Sequence, residues 1–259
     1  MRSKILILLT LLLAAPALVM VGCGRSVDSD ISQKFLMAQQ AFDQAAGPDD
    51  FRKVAAKYRE ILDSGVTSGA VLYNLGNTWM NAGRPGRAIA AYRQAQRYRP
   101  NDPFLEANLR YAIGRDGSTD ARRPIVEHVF FWQNWLGYSA KFYLVAAGAI
   151  VSFLFGALAI FVHRRLFARL AVAGLVVTGL LIFSAAYDWY RFDYVVHGVV
   201  DRDEVVVRKG DAETYQPAFT EPIPEGTEFR VVKQRGDWLL IHLSGDQEGW
   251  IPESDAVVY

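Results

Sequence analysis

Apolar residues in this chain gather in three blocks, and the spacing between the blocks changes character. The first block runs from Ile5 to about Gly22, behind Arg2 and Lys4. A basic start, an apolar run and small residues together read as an export signal over residues 1–23. The other two, Phe142 to Val162 and Leu170 to Tyr187, hold 21 and 18 residues without a charge. A hydrocarbon core of about 30 Å needs roughly that length at about 1.5 Å of rise per residue. Arg164, Arg165 and Arg169 lie between the two blocks. A buried core helix is the plainer meaning of one such block. Two of them so close together predict a transmembrane hairpin, with helices at 142–162 and 170–187 and a loop at 163–169.

Upstream of the hairpin the apolar spacing is helical. Leu72, Leu75, Gly76, Trp79, Gly83, Ala88, Tyr92, Ala95 and Pro100 stand at the positions of a 34-residue helix–turn–helix unit. Gly76 and Ala88 are small where two antiparallel helices cross, and Trp79 and Tyr92 fill the space beside them. Gly83 closes the turn, Pro85 opens the second helix and Pro100 ends it. A weaker copy covers Asp50 to Leu62, with a first helix near Phe35 to Ala46, and Asp102 through Ile113 reads as a capping helix with Leu105 and Leu109 inward. These elements predict an all-α domain over 32–114. Residues 115–141 then form a polar linker and an interfacial helix, in which Trp132 and Trp135 suit a membrane boundary.

Downstream, from about 195 to 259, short alternating runs are broken by Gly, Pro and Asp. Strands are expected at Val205–Arg208, Thr227–Val232, Trp238–Leu243 and Gly249–Pro252, which suggests a small β-barrel. The chain as a whole is thus expected to be a multidomain membrane protein.

Charge sharpens this picture. The overall balance is +1, which offers no reason to expect nucleic-acid binding. Between Asp201 and Asp255, however, 13 Asp and Glu face six Lys and Arg, while Lys34 to Arg123 carries 14 Lys and Arg against nine Asp and Glu. Arginines in a short loop favour the cytoplasmic face. An export signal followed by two crossings places both flanking domains outside, so the acidic and basic segments would share a compartment. Opposite charges there could draw the domains together, or draw in separate partners. Arg84, Arg87, Arg93 and Arg97 crowd the repeat; such a run is commonly a solvated helix face, and its sharper meaning is a basic groove for an acidic partner.

Candidate chemistry is sparse. Cys23 is the sole cysteine, which excludes an intrachain disulfide and a cysteine zinc site. Val21-Gly22-Cys23 resembles a lipoprotein box that would acylate Cys23, whereas Ala15-Pro16-Ala17 suits an ordinary peptidase. His128, His163, His197 and His242 lack ligand spacing. No phosphate-binding glycine loop, His-Glu-x-x-His or nucleophile elbow is present, so neither an enzyme nor a cofactor is expected.

Two resemblances follow from these motifs. Residues 69–102 are similar to the tetratricopeptide repeat, and Val-Arg-x-Gly, a central Gly before a strand, Trp238 and Gly-Trp-Ile resemble bacterial SH3-like domains. The latter resemblance implies protein, peptide or cell-wall binding, with Tyr215, Phe219, Trp238 and Trp250 as candidates; Trp250 and Phe229 also suit a core. The domain order, with Phe131 to Leu136 before the hairpin, resembles BatE-type proteins of bacterial aerotolerance operons. That resemblance implies a non-enzymatic adaptor in a complex with von Willebrand A-type membrane proteins and a MoxR-type ATPase. A peptidoglycan-binding envelope protein is the alternative.

Overall fold

The computed structural model describes residues 25–114, 136–162 and 165–259. The export signal expected at residues 1–23, Cys23, Trp132, Trp135, His128, His163 and most of the expected linker lie outside the described residues.

Among the described residues, five helices precede the two later apolar blocks: α1 (Arg25–Gln44), α2 (Pro48–Asp63), α3 (Gly69–Asn81), α4 (Pro85–Gln96) and α5 (Pro103–Ala112). Proline stands at the first turn of α2, α4 and α5, where its missing N–H costs nothing. The side chain of Asp102 caps α5, accepting from the N–H groups of Phe104 and Leu105 at 2.9 and 3.2 Å. Gly83 closes the α3–α4 turn at φ +69°, in the left-handed region. The spacing of the repeat has its reason in the core. A Cβ on Gly76 would stand 2.3 Å from the Tyr92 ring, so α3 and α4 cross at that glycine. Burial holds the Tyr92 phenol above its ordinary value. Its hydroxyl donates to Oδ1 of Asn77 at 2.8 Å, which also accepts from Asn108 at 2.8 Å and so ties α5 to α3.

Helices α6 (Tyr138–Val162) and α7 (Arg165–Trp189) are each long and apolar enough to cross a membrane. They pack antiparallel. A Cβ on Gly148 would meet Thr178 Oγ1 at 2.5 Å, and one on Gly174 would meet Ser152 Oγ at 2.4 Å, so small residues set the approach. Gly156, which with Gly148 and Ser152 recurs every four residues along α6, faces open space. Phe153, Ile160, Phe161 and Leu175 point outward, 61–78% exposed, which a helix in a soluble core would not show. Arg165 and Arg169, expected in a loop, lie within the first turns of α7. Arginine is a good helix former, so α7 begins at Arg165.

The chain leaves α7 through one π-helical turn, Tyr190–Tyr194, and enters a five-stranded antiparallel sheet. Its strands are β1 (His197–Val200), β2 (Glu228–Arg235), β3 (Trp238–Leu243), β4 (Gln247–Pro252) and β5 (Ala256–Val258), in the order β4-β3-β2-β1-β5. The strand expected at Val205–Arg208 is replaced by isolated bridges from Val205 to Ile223 and from Arg208 to Pro217 and Trp250. Gly, Pro and Asp interrupt the residues that would pair with it. One face of the sheet buries Val200, Phe229, Leu239, Ile241, Leu243 and Ile251 as its own core. Trp250 is only half-buried, with the Arg235 guanidinium 5.3 Å above its ring.

Candidate interaction site between the repeat and the sheet

The second face of the sheet does not meet solvent alone. Val199 is fully buried within the hydrophobic cluster of the helical repeat, and Val257 and Tyr259 pack against the same cluster. All three sit on β1, β5 or just after it, and the element they meet is α4. Close approach is possible because α4 carries glycine near its start. A Cβ on Gly86 would lie 2.3 Å from the Val200 carbonyl oxygen. Its N–H donates to Glu225 Oε1 at 3.2 Å, where the helix N-terminus favours a carboxylate.

Around this apolar contact stand four arginines of the repeat, each with an acidic partner beyond the hairpin. Arg84 donates from Nη2 to the Asp201 carbonyl at 2.7 Å and lies 2.9 Å from its carboxylate. Arg87 Nε contacts both Asp201 carboxylate oxygens, at 2.8 and 3.1 Å. Arg93 grips Glu228 through Nε and Nη2 at 2.6 and 2.8 Å, a two-point geometry that lysine cannot supply. Arg97 donates from Nη2 to Asp193 at 2.7 Å.

Titration of the site follows from burial and pairing. Burial alone would lower the Arg93 guanidinium, but the Glu228 carboxylate outweighs it and the group is raised. Burial holds the Glu225 carboxyl above its ordinary range; the Gly86 N–H and Arg84 oppose this, and Asp201 and Asp203 add to it. Tyr259 is raised by burial first and then by Glu228.

Arg84, Arg87, Arg93 and Arg97 are therefore brought together along α4, with Arg84 and Arg97 as its caps, but their partners belong to the same chain. The basic segment is neither a solvated face nor an empty groove. Tyr215, Phe219 and Trp238 do not join them. Tyr215 is 49% exposed, with its carbonyl accepting from Arg208 at 3.0 Å; Phe219 packs against the sheet's own core; Trp238 is half-buried at the start of β3. The segmental charge imbalance allowed either attraction between the domains or separate partners. Which acids carry it, Asp193, Asp201, Glu225 and Glu228, had no local signature, and Val199 and Tyr259 had none either.

Helix α3 contributes indirectly. Trp79 lies 4.9 Å below the Arg87 guanidinium, so a repeat residue also orients an interface residue. Among the described residues no group of three His, Cys, Asp or Glu is placed to hold a metal. No curated protein and no solved structure matches the chain. Residues 69–102 match the tetratricopeptide repeat family, so the helical unit that supplies these arginines contains such a repeat.

Proposed function

We propose that this chain is a non-enzymatic, membrane-anchored adaptor that presents its repeat and its sheet domain as one docked body outside the cytoplasmic membrane. Tetratricopeptide repeats are typically protein-interaction modules without catalysis, and that class supports the adaptor part of the reading. The observation that carries the rest is the docking itself. Arg84 and Arg87 precede the helix pair and Asp201 follows it, yet they are in contact. Domains that touch cannot lie on opposite sides of a bilayer. If α6 and α7 cross a membrane, they cross it as a hairpin. The outward Phe, Ile and Leu side chains on both helices support that crossing. The outer side follows from the export signal read at residues 1–23.

The short strands and the half-buried Trp238 and Trp250 favour an SH3-like interaction domain for 195–259. Domain order favours a Bat-type complex in which von Willebrand A-type membrane proteins are partners. The test is crosslinking in native membranes, together with protease digestion of intact spheroplasts. Both flanking domains should be cleaved from outside, and membrane proteins should be recovered as crosslinked partners. A chain that is protected outside and cleaved only after lysis would sink the topology. Recovery of wall fragments in place of proteins would move the reading to peptidoglycan binding.

A further inference from the structure

On the sheet face turned toward α4, one row of residues runs across the sheet from Tyr259, just after β5, to β4. Tyr259 and His197 exchange backbone hydrogen bonds at 3.1 and 2.8 Å; His197 stands opposite Arg230, Arg230 opposite His242, and His242 opposite Glu248. Directly opposed residues of antiparallel strands share a face. Tyr259, His197, Arg230 and His242 of this row floor an open cleft of about 450 Å³, a size that suits a small ligand group. Arg93 and Gln96 of α4 form one wall, and Arg191 and Phe192, just beyond α7, form another.

The cleft's charges are unequally satisfied. Arg93 is matched by Glu228, and His242 Nδ1 lies 3.1 Å from Glu248. Arg191 and Arg230 also line the cleft, and no carboxylate among the described residues lies within 4.0 Å of either. Arg191 instead rests over the Phe192 ring at 5.4 Å. His197 lies beside Arg230 on the cleft floor, its ring stacked on that of Tyr259 at 6.3 Å. Burial holds the His197 imidazole below its ordinary value. Arg191 and Arg93 lower it further, while the Val195 backbone and Glu228 oppose this. Among the lining residues three arginines, Arg93, Arg191 and Arg230, face one carboxylate, Glu228.

We propose that this cleft binds a phosphate group, with Arg191 and Arg230 as its charged partners and His197 as a hydrogen-bonding one. Two guanidinium forks and an imidazole, Arg230 and His197 on the floor and Arg191 on a wall, offer more donors than the two oxygens of a carboxylate accept, and they suit the several oxygens of a phosphate. Arg191 follows the last residue of α7, Trp189, by two positions. On the membrane-anchored reading, on which this choice of source rests, the cleft lies at the level of lipid headgroups. The phosphate is then that of an anionic phospholipid.

The full chain, purified in a phosphate-free maltoside detergent, is titrated by calorimetry with a short-chain phosphatidylglycerol and, separately, with inorganic phosphate. Saturable lipid binding is expected, weakened about tenfold or more by Arg191→Gln and by Arg230→Gln. Arg202→Gln, at an exposed arginine paired with Asp255, should leave it unchanged. The His197 resonance should shift with the same saturation. Binding of inorganic phosphate as tight as that of lipid would keep the site but overturn the lipid source. No saturable binding of either, or binding indifferent to both variants, would overturn the proposal. Membrane anchoring is read separately, by retention in carbonate-washed membranes, so the two readings fail independently.

Discussion

Arg87 and Asp201 meet face to face, with Nε 2.8 and 3.1 Å from the two carboxylate oxygens, although a whole helix pair separates them along the chain. Asp201 is 7% exposed and is shared with Arg84, whereas Arg84 and Arg87 are about one-third exposed, at 30% and 32%. Removing the carboxylate therefore leaves two guanidinium groups that water can partly reach. Asp201→Ala should cost about 2 kcal/mol, less than the roughly 3–5 kcal/mol of a fully buried pair. Hydrogen exchange should then accelerate across β1 and the first turns of α4, with the α1–α2 pair unchanged. Equal protection in the variant and the parent would show that the apolar contact through Val199 suffices.

Gly86 separates helix stability from docking. Alanine is the better helix former by about 1 kcal/mol, so Gly86→Ala should strengthen α4 taken alone. In the folded chain the added Cβ would meet the Val200 carbonyl, a backbone atom that cannot swing aside. Loss of docking with a retained repeat is the expected result, seen as faster exchange in β1 and β5 while the far-ultraviolet helix signal is unchanged or larger. A variant with intact β1 protection would show that the sheet can shift to accommodate the methyl group.

Glu225 should behave unlike Glu228. Burial penalises the Glu225 carboxylate, and its principal contact is an acceptor role toward the Gly86 N–H. Glu225→Gln retains an acceptor and removes the buried charge, so stability should stay within about 0.5 kcal/mol. Glu228→Gln breaks a two-point pair with Arg93 and should destabilise by about 1–2 kcal/mol in denaturant titrations.

Lys141 and Asp188 pair at 2.6 Å at the end of the hairpin next to the folded domains, with side chains 1% and 9% exposed. Lys141→Ala leaves a buried carboxylate without that partner and should cost on the order of 3–5 kcal/mol. Lys141→Met combined with Asp188→Leu should recover part of the loss. Thermal unfolding in detergent reads both. A single variant as stable as the parent would mean that water reaches the pair.

His197 predicts an acid sensitivity. Burial, ahead of Arg191 and Arg93, lowers its pKa from the ordinary 6.5. The unfolded chain then binds a proton that the folded chain refuses, so stability falls as pH drops below about 6.5. Tm should decline between about pH 7 and pH 5.5, and His197→Gln should lessen that decline. An identical decline in the variant would assign it to other groups.

The repeat is legible in the residues because its determinants are local. Gly76, Ala88 and Tyr92 answer one another across a single turn, and Gly83 and Pro85 must occupy that turn. The apolar helices are legible for a similar reason, since length and lack of charge suffice to identify them. β1 and β5 are not legible. Their few residues pair with each other and with β2 across long stretches of chain, and short apolar runs carry no register. Val205–Arg208 looks like a strand by composition, but its would-be partners are broken by proline and glycine.

By itself, then, the order of residues determined a helical repeat, two membrane-length apolar helices, a β-rich end and an opposition of charge between the first and last parts. Those properties depend on neighbours within a turn or a strand, or on sums over a segment. Only the tertiary structure decided that Arg87 answers Asp201 and Arg93 answers Glu228, that Val199 belongs to the core of the repeat, and that Arg191 and Arg230 share a cleft. Each of those contacts joins residues whose meeting depends on how β1, β2 and α4 are placed in space, and one acidic residue among 13 carries no mark of its partner until that placement is made.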